Sequence, residues 1–113
     1  MPAGILHRDS RGLKVTLTEV ARDDWRNLRR YLRRQFGRRV EMAVAARVKA
    51  ATIAIAANPQ RGHRIESAVF PGLRGIVVKK SLICYRVLPG RVQIVRILDV
   101  SADLYEERTA ATP

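Results

Sequence analysis

The spacing of apolar positions changes along the chain, and each change marks an element. Lys14-Val15-Thr16-Leu17 alternates polar and apolar, the pattern of a short half-buried strand. From Glu19 the period lengthens to that of a helix. Ala21, Trp25, Leu28, Leu32 and Phe36 fall on one stripe, which predicts an amphipathic helix over Glu19–Phe36 with Trp25 and Phe36 as core anchors. Thr18 suits its N-cap, with Glu19, Asp23 and Asp24 in the first turns, and Gly37 suits its end. A second helix follows over Arg38–Ala57, with Val40, Val44, Val48, Ala51 and Ile55 as its core stripe. Flanking alanines let a neighbouring helix approach closely, and Asn58-Pro59 stops it. Two helices joined this tightly predict an antiparallel αα-hairpin.

The rest of the chain reads as β structure. Gln60–Glu66 is a polar loop. Three β-rich runs follow, Gly75–Lys79, Leu82–Leu88 and Val92–Leu98. Pro71-Gly72 and Pro89-Gly90 occupy the central positions of type II turns, the second joining the last two runs into a hairpin. Both of those runs are almost continuously apolar, as in strands covered on both faces. Ser101–Arg108 predicts a short terminal helix. The order β-α-α-β-β-β is that of an α+β fold, an αα-hairpin on a small, mostly antiparallel sheet. One domain over 14–108 is expected, with a loose N-terminal arm over 1–13 and a frayed tail over 109–113.

Composition narrows the function. The 113 residues include one cysteine, Cys84, and two histidines, His7 and His63. That excludes an internal disulfide framework and argues against a metal centre. Cys84 lies within an apolar strand, where a buried, inert thiol is expected. No cofactor motif is present: Gly62, Gly72, Gly75 and Gly90 are spaced as turn glycines, not as a phosphate loop. The start lacks the apolar core of a signal peptide, and the longest apolar run, Ala50–Ala57 with Thr52 inside it, is too short for a membrane span. A cytoplasmic location without membrane contact is the expectation.

Charge is the most distinctive property. Lys and Arg total 22 against 10 Asp and Glu, a net charge of +12. A small domain this basic usually meets nucleic acid, an anionic surface or an acidic protein partner. In the first helix Arg22, Arg26, Arg29, Arg30 and Arg33 form a ridge beside the apolar stripe, with only Asp23 and Asp24 to offset them between Arg22 and Arg34. Like charges at this spacing weaken an isolated helix by roughly 0.2–0.5 kcal/mol per pair. The ridge therefore predicts an anionic partner; a merely solvated face is the alternative.

The elements, with these residues in them, resemble the RelE/ParE superfamily of type II toxin–antitoxin toxins, and the ParE branch most closely. The resemblance covers Lys14–Leu104. It rests on Val15-Thr16-Leu17-Thr18, on Ala21, Asp24, Leu28 and Tyr31 in the first helix, on Phe36-Gly37, and on Asn58-Pro59 with Gly62. Its most specific pieces are Pro71-Gly72-Leu73-Arg74, Cys84-Tyr85-Arg86-Val87, and Val95-Arg96-Ile97-Leu98 followed by Asp103. Asp99 stands where ParE-like chains often have His.

The ParE branch implies a toxin that performs no chemistry itself. It binds DNA gyrase, leaves the DNA cleaved, and is held inactive by a cognate antitoxin that wraps its C-terminal segment over the toxin in a hetero-oligomer. Arg22, Arg26, Arg29, Arg30, Arg33 and Arg86 are the candidates for target or antitoxin contact. The RelE branch implies instead a ribosome-dependent mRNA endoribonuclease. Its cationic candidates here are Arg74, Lys79, Lys80, Arg86 and Arg96, with Tyr105. Against it, the strand arginine of RelE-type chains falls on apolar Leu82, and no His or carboxylate base is well placed. Adjacent Tyr85 and Arg86 must point to opposite faces of their strand; Tyr85 is expected in the core and Arg86 on the face away from the helices. A non-toxic, basic nucleic-acid-binding module is the third reading.

Overall fold

The computed structural model describes residues 5–7 and 13–100. Its elements run β1 (Ile5–His7), β2 (Lys14–Leu17), α1 (Glu19–Phe36), α2 (Arg38–Ala57), β3 (His63–Arg64), β4 (Arg74–Val78), β5 (Ser81–Leu88) and β6 (Arg91–Asp99). The expected α+β fold is present: an αα-hairpin on a sheet ordered β1-β2-β6-β5-β4-β3. Among the described residues only the β2–β6 pair is parallel, and it joins β2 to the last described strand. The remaining pairs are antiparallel.

Both helices take the bounds that their periodicity predicts. The Thr18 side chain accepts from the Ala21 amide at 3.0 Å, and Gly37 reverses the chain at φ 90°. Gly72 and Gly90 hold the positive φ of their Pro-Gly turns, at 78° and 75°. Two short strands depart from expectation. Within the stretch read as a loose arm, Ile5–His7 pair with β2. Within the loop read at Gln60–Glu66, His63–Arg64 pair with β4. Neither has enough alternating residues to register as a strand in sequence; each exists because a neighbouring strand offers it an edge. The terminal helix expected at Ser101–Arg108, the 109–113 tail and Tyr105 lie outside the described residues.

The main core lies between hairpin and sheet. Ile83 and Tyr85 of β5, Val92, Ile94 and Ile97 of β6, and Val15 and Leu17 of β2 meet Ala21, Leu28 and Leu32 of α1 and Val48, Ile55 and Ala56 of α2. The core face of α2 is turned from the expected stripe. Glu41, Ala45 and Thr52 are buried, whereas Val40 is 38% exposed. Phe36, expected to be a core anchor, is 58% exposed, and Trp25 is only partly buried. A second, smaller core covers the other face of the sheet. Leu73, Cys84 and Val95 pack there with Ile65, Phe70, Leu82 and Leu98, so the loop before β4 shields the central strands. This double cover is why β5 and β6 are almost wholly apolar.

Tyr85 connects the hairpin exit to the sheet. It is fully buried; its hydroxyl donates to the Pro59 carbonyl and accepts from the Gly62 amide, both at 2.8 Å. Glycine is required at 62, since a Cβ there would come within 2.8 Å of the Tyr85 hydroxyl and 2.9 Å of the Gly75 carbonyl. Tyr85→Phe removes one oxygen and leaves a buried donor and a carbonyl without partners. We expect it to lower the unfolding free energy by about 1–3 kcal/mol, read from urea unfolding, with the secondary structure by circular dichroism unchanged.

Candidate functional site

The placement of α1 follows from how β6 is covered. On β6, β2 pairs with Arg91–Ile94, so the edge beyond Ile94 has no strand partner among the described residues. A bulge at Val95, where Cys84 pairs with Arg96 and Tyr85 with Ile94, turns that edge toward α1. Thr18 donates through its hydroxyl to the Val95 carbonyl at 2.9 Å, and Asp24 accepts from the Ile97 amide at 3.0 Å. Asp24 also holds the Arg96 guanidinium at 2.7 Å. These bonds lay α1 alongside β6, running in the same direction. From Asp24 to Phe36 the helix continues for about 18 Å. The strand ends at Asp99, about 7 Å past Ile97. The hairpin tip therefore overhangs the sheet.

Under the overhang lies an open groove of about 260 Å³. Its walls are Leu28, Tyr31, Leu32 and Phe36 of α1 and Val40 and Val44 of α2; Lys79, Lys80 and Asp99 stand at its rim. Tyr31 and Phe36 meet edge to face, with ring centroids 6.2 Å apart. Lys79 holds the β4–β5 turn in the left-handed region, φ 58°, a conformation that side-chain-bearing residues adopt at a cost. The groove is apolar inside, and at its rim two lysines outnumber one carboxylate, which suits an amphipathic segment with acidic flanks. Residue typing alone did not find it. The available signal was Tyr31, an aromatic off the core stripe, together with the bulky Phe36 and Val40 on either side of the Gly37 reversal.

The structure divides the arginine ridge. Glu41 of α2 is buried beneath it and takes Arg29 at 3.0 Å and Arg33 at 2.9 Å. Two residues expected to face a partner thus clamp the two helices together. The sequence concealed this because the counter-ion lies on the other helix. Arg26 pairs with Asp23, while Arg22 and Arg30 have no ion pair among the described residues.

The cationic strand residues do not converge. Arg74 stands across from Tyr85, on the helix side of the sheet, and donates to the Gly62 carbonyl at 2.8 Å and more weakly to that of Gln60. Arg86 is on the opposite face, donating to the Gln93 side chain at 2.8 Å, its guanidinium 5.1 Å from the Phe70 ring centroid. Arg96 is held by Asp24. Lys79 and Lys80 are in the turn at the far end of β4 from Arg74, roughly 17 Å along the strand. Burial pushes the Cys84 thiol up, which keeps it protonated and unreactive at neutral pH. Among the described residues no group of three or more His, Cys, Asp or Glu is placed to hold a metal ion, and no helix is long and apolar enough to cross a membrane.

The clamp has a pH signature. Hydrogen bonds from Arg33, and secondarily its charge and Arg29, hold the Glu41 carboxyl below its ordinary value against the opposing effect of burial. A carboxyl lowered in the folded state stabilises fully above its unfolded value, about 4.3, and the contribution is lost as pH falls through the lower folded value. Glu41→Gln should therefore melt below the parent at neutral pH. That difference should shrink as pH drops from 5 toward 3, as followed by thermal unfolding.

Comparison with known proteins agrees with this architecture. The family described as "ParE toxin of type II toxin-antitoxin system, parDE" matches residues 15–104. No curated protein sequence matches the chain. Among solved structures, a chain of the chromosomal ParDE toxin–antitoxin system from P. aeruginosa shares the fold at a TM-score of 0.66 and 18% identity, covering 81% of this chain and 100% of its own. The family match spans nearly all of the described residues and every element from β2 to β6; the chain belongs to the ParE toxin family of type II toxin–antitoxin systems.

Proposed function

We propose that this toxin acts by binding DNA gyrase and holding it with its DNA cleaved, and that it performs no chemistry of its own. The observation that carries this choice within the superfamily is the dispersal of the cationic strand residues. Cleavage of RNA needs a base for the 2′-hydroxyl, a cation beside the phosphate and a proton for the leaving oxygen, all within reach of one phosphate. Arg74, Arg86 and Arg96 are separately engaged on two faces of the sheet, and Lys79 and Lys80 sit in a distant turn. Such an arrangement suits an inhibitor that works by contact.

A cognate antitoxin is the expected partner. We place its neutralising segment in the groove under the hairpin tip, where apolar side chains would meet Tyr31, Phe36 and Val40 and acidic ones Lys79 and Lys80. The system operates in the cytoplasm in this reading, with gyrase and without a membrane.

Induction of the chain alone in a bacterial host tests the mechanism when DNA breaks and mRNA ends are followed in one culture. Double-strand breaks with intact mRNA are expected, relieved by co-expression of the antitoxin. Codon-phased mRNA cuts without breaks would instead establish the ribonuclease. Arg86→Gln separates the two further: loss of a catalytic group would reduce mRNA cleavage by roughly a hundredfold or more, whereas loss of a contact would weaken binding and leave mRNA intact throughout.

A further inference from the structure

Once Arg29 and Arg33 are assigned to the Glu41 clamp, the remaining arginines of α1 form a simpler figure. Arg22, Arg26, Arg30 and Arg34 follow one another at four-residue intervals on the outer side of the helix. Successive members are about 6 Å apart along the axis, and the row is about 18 Å long. Arg22 is half-buried and the other three are exposed. Arg26 is the only one in an ion pair among the described residues, with exposed Asp23. The only acid of α2, Glu41, is buried under the clamp. Like charges at this spacing repel, and the described part of the molecule supplies almost nothing to offset them.

The row also lacks what a protein interface needs. No apolar side chain interrupts it: Leu28 and Leu32 turn to the core and Tyr31 to the groove. Protein partners are gripped by buried apolar and aromatic anchors. An evenly spaced line of guanidiniums without such anchors fits a regular polyanion. Each strand of duplex DNA presents a regular line of phosphates, against which the row can lay its four guanidiniums. Guanidinium forks bind phosphate oxygens in pairs, and a net charge of +12 draws the chain toward the duplex.

We propose that Arg22, Arg26, Arg30 and Arg34 form a sequence-independent binding surface for the phosphate backbone of duplex DNA. The surface is separate from the groove and does not depend on gyrase being the target.

The test uses the full chain and a fluorescein-labelled 20-base-pair duplex of arbitrary sequence, with binding followed by anisotropy over a salt series. Two variants of equal net charge are compared. One carries Arg→Gln at 22, 26, 30 and 34; the other carries Arg→Gln at exposed positions 47, 61, 64 and 91. Glutamine is close to arginine in helix propensity, so the row variant should fold, as circular dichroism would verify. Each phosphate contact contributes about 0.9 to the slope of log K against log salt. The row variant should lose about 3 to 4 units of slope, and the control should keep nearly all of it. Equal losses in both variants would mean that binding follows net charge alone and would overturn the proposal. So would a row variant that binds the duplex like its parent, including one that has lost only an acidic protein partner. If the row variant fails to fold, Arg30→Gln alone decides by the same measure, with a loss of about one unit expected and no loss overturning the proposal.

Discussion

The unpaired edge of β6 is the constraint on which the rest of the arrangement depends. A strand edge buried without hydrogen-bond partners is costly, and here the partner strand β2 stops at Leu17, opposite Ile94. Thr18 and Asp24 complete the edge from the side, one donating to Val95 and the other accepting from Ile97. Thr18 also caps α1, so a single residue starts the helix and fixes it to the sheet. With its first turns held there, α1 can only run along β6, and its length carries it past the strand end. The groove under the hairpin tip is a consequence of that anchoring.

A second polar device sets the position of α2. Glu41, buried between two guanidiniums of α1, turns the helix so that its core face centres on Glu41, Ala45, Val48 and Thr52. Val40 is thereby left at the surface, beside Phe36 and Tyr31. Removing the arginines would strand the buried Glu41 carboxylate, whereas the guanidiniums themselves stay accessible to solvent, so the cost of breaking the clamp falls on Glu41. Together the two devices divide the surface by chemistry. An apolar groove with a lysine rim lies under the tip, and an arginine row lies on the outer side of α1. Surfaces this different select partners by unlike interactions, apolar contact in the groove and charge along the row.

Much of this was legible in the sequence. The 3.6-residue period, with Thr18, Gly37 and Asn58-Pro59 as punctuation, marked both helices to their ends, and the Pro-Gly pairs marked two turns. The order of elements with their specific residues pointed to the toxin superfamily. The candidate site was less legible. Arg29 and Arg33 looked identical to Arg26 and Arg30 because each reads as an exposed cation within its own helix. Phe36 read as core because periodicity records which side of a helix is apolar and not whether a sheet lies beneath it. His63–Arg64 has no signal of its own, since its strand state is conferred by β4.

What the sequence determined by itself was therefore local. Helix and strand periods, caps and turns depend on residues within a few positions of one another, so they are written where they act. The tertiary structure alone decided which arginines are counter-ions and which are open, where the sheet ends beneath the hairpin, and that the strand cations lie on opposite faces. Each of those depends on contacts between residues far apart in the chain, such as Asp24 with Arg96 and Gly62 with Tyr85. Those contacts come into being only when the elements pack.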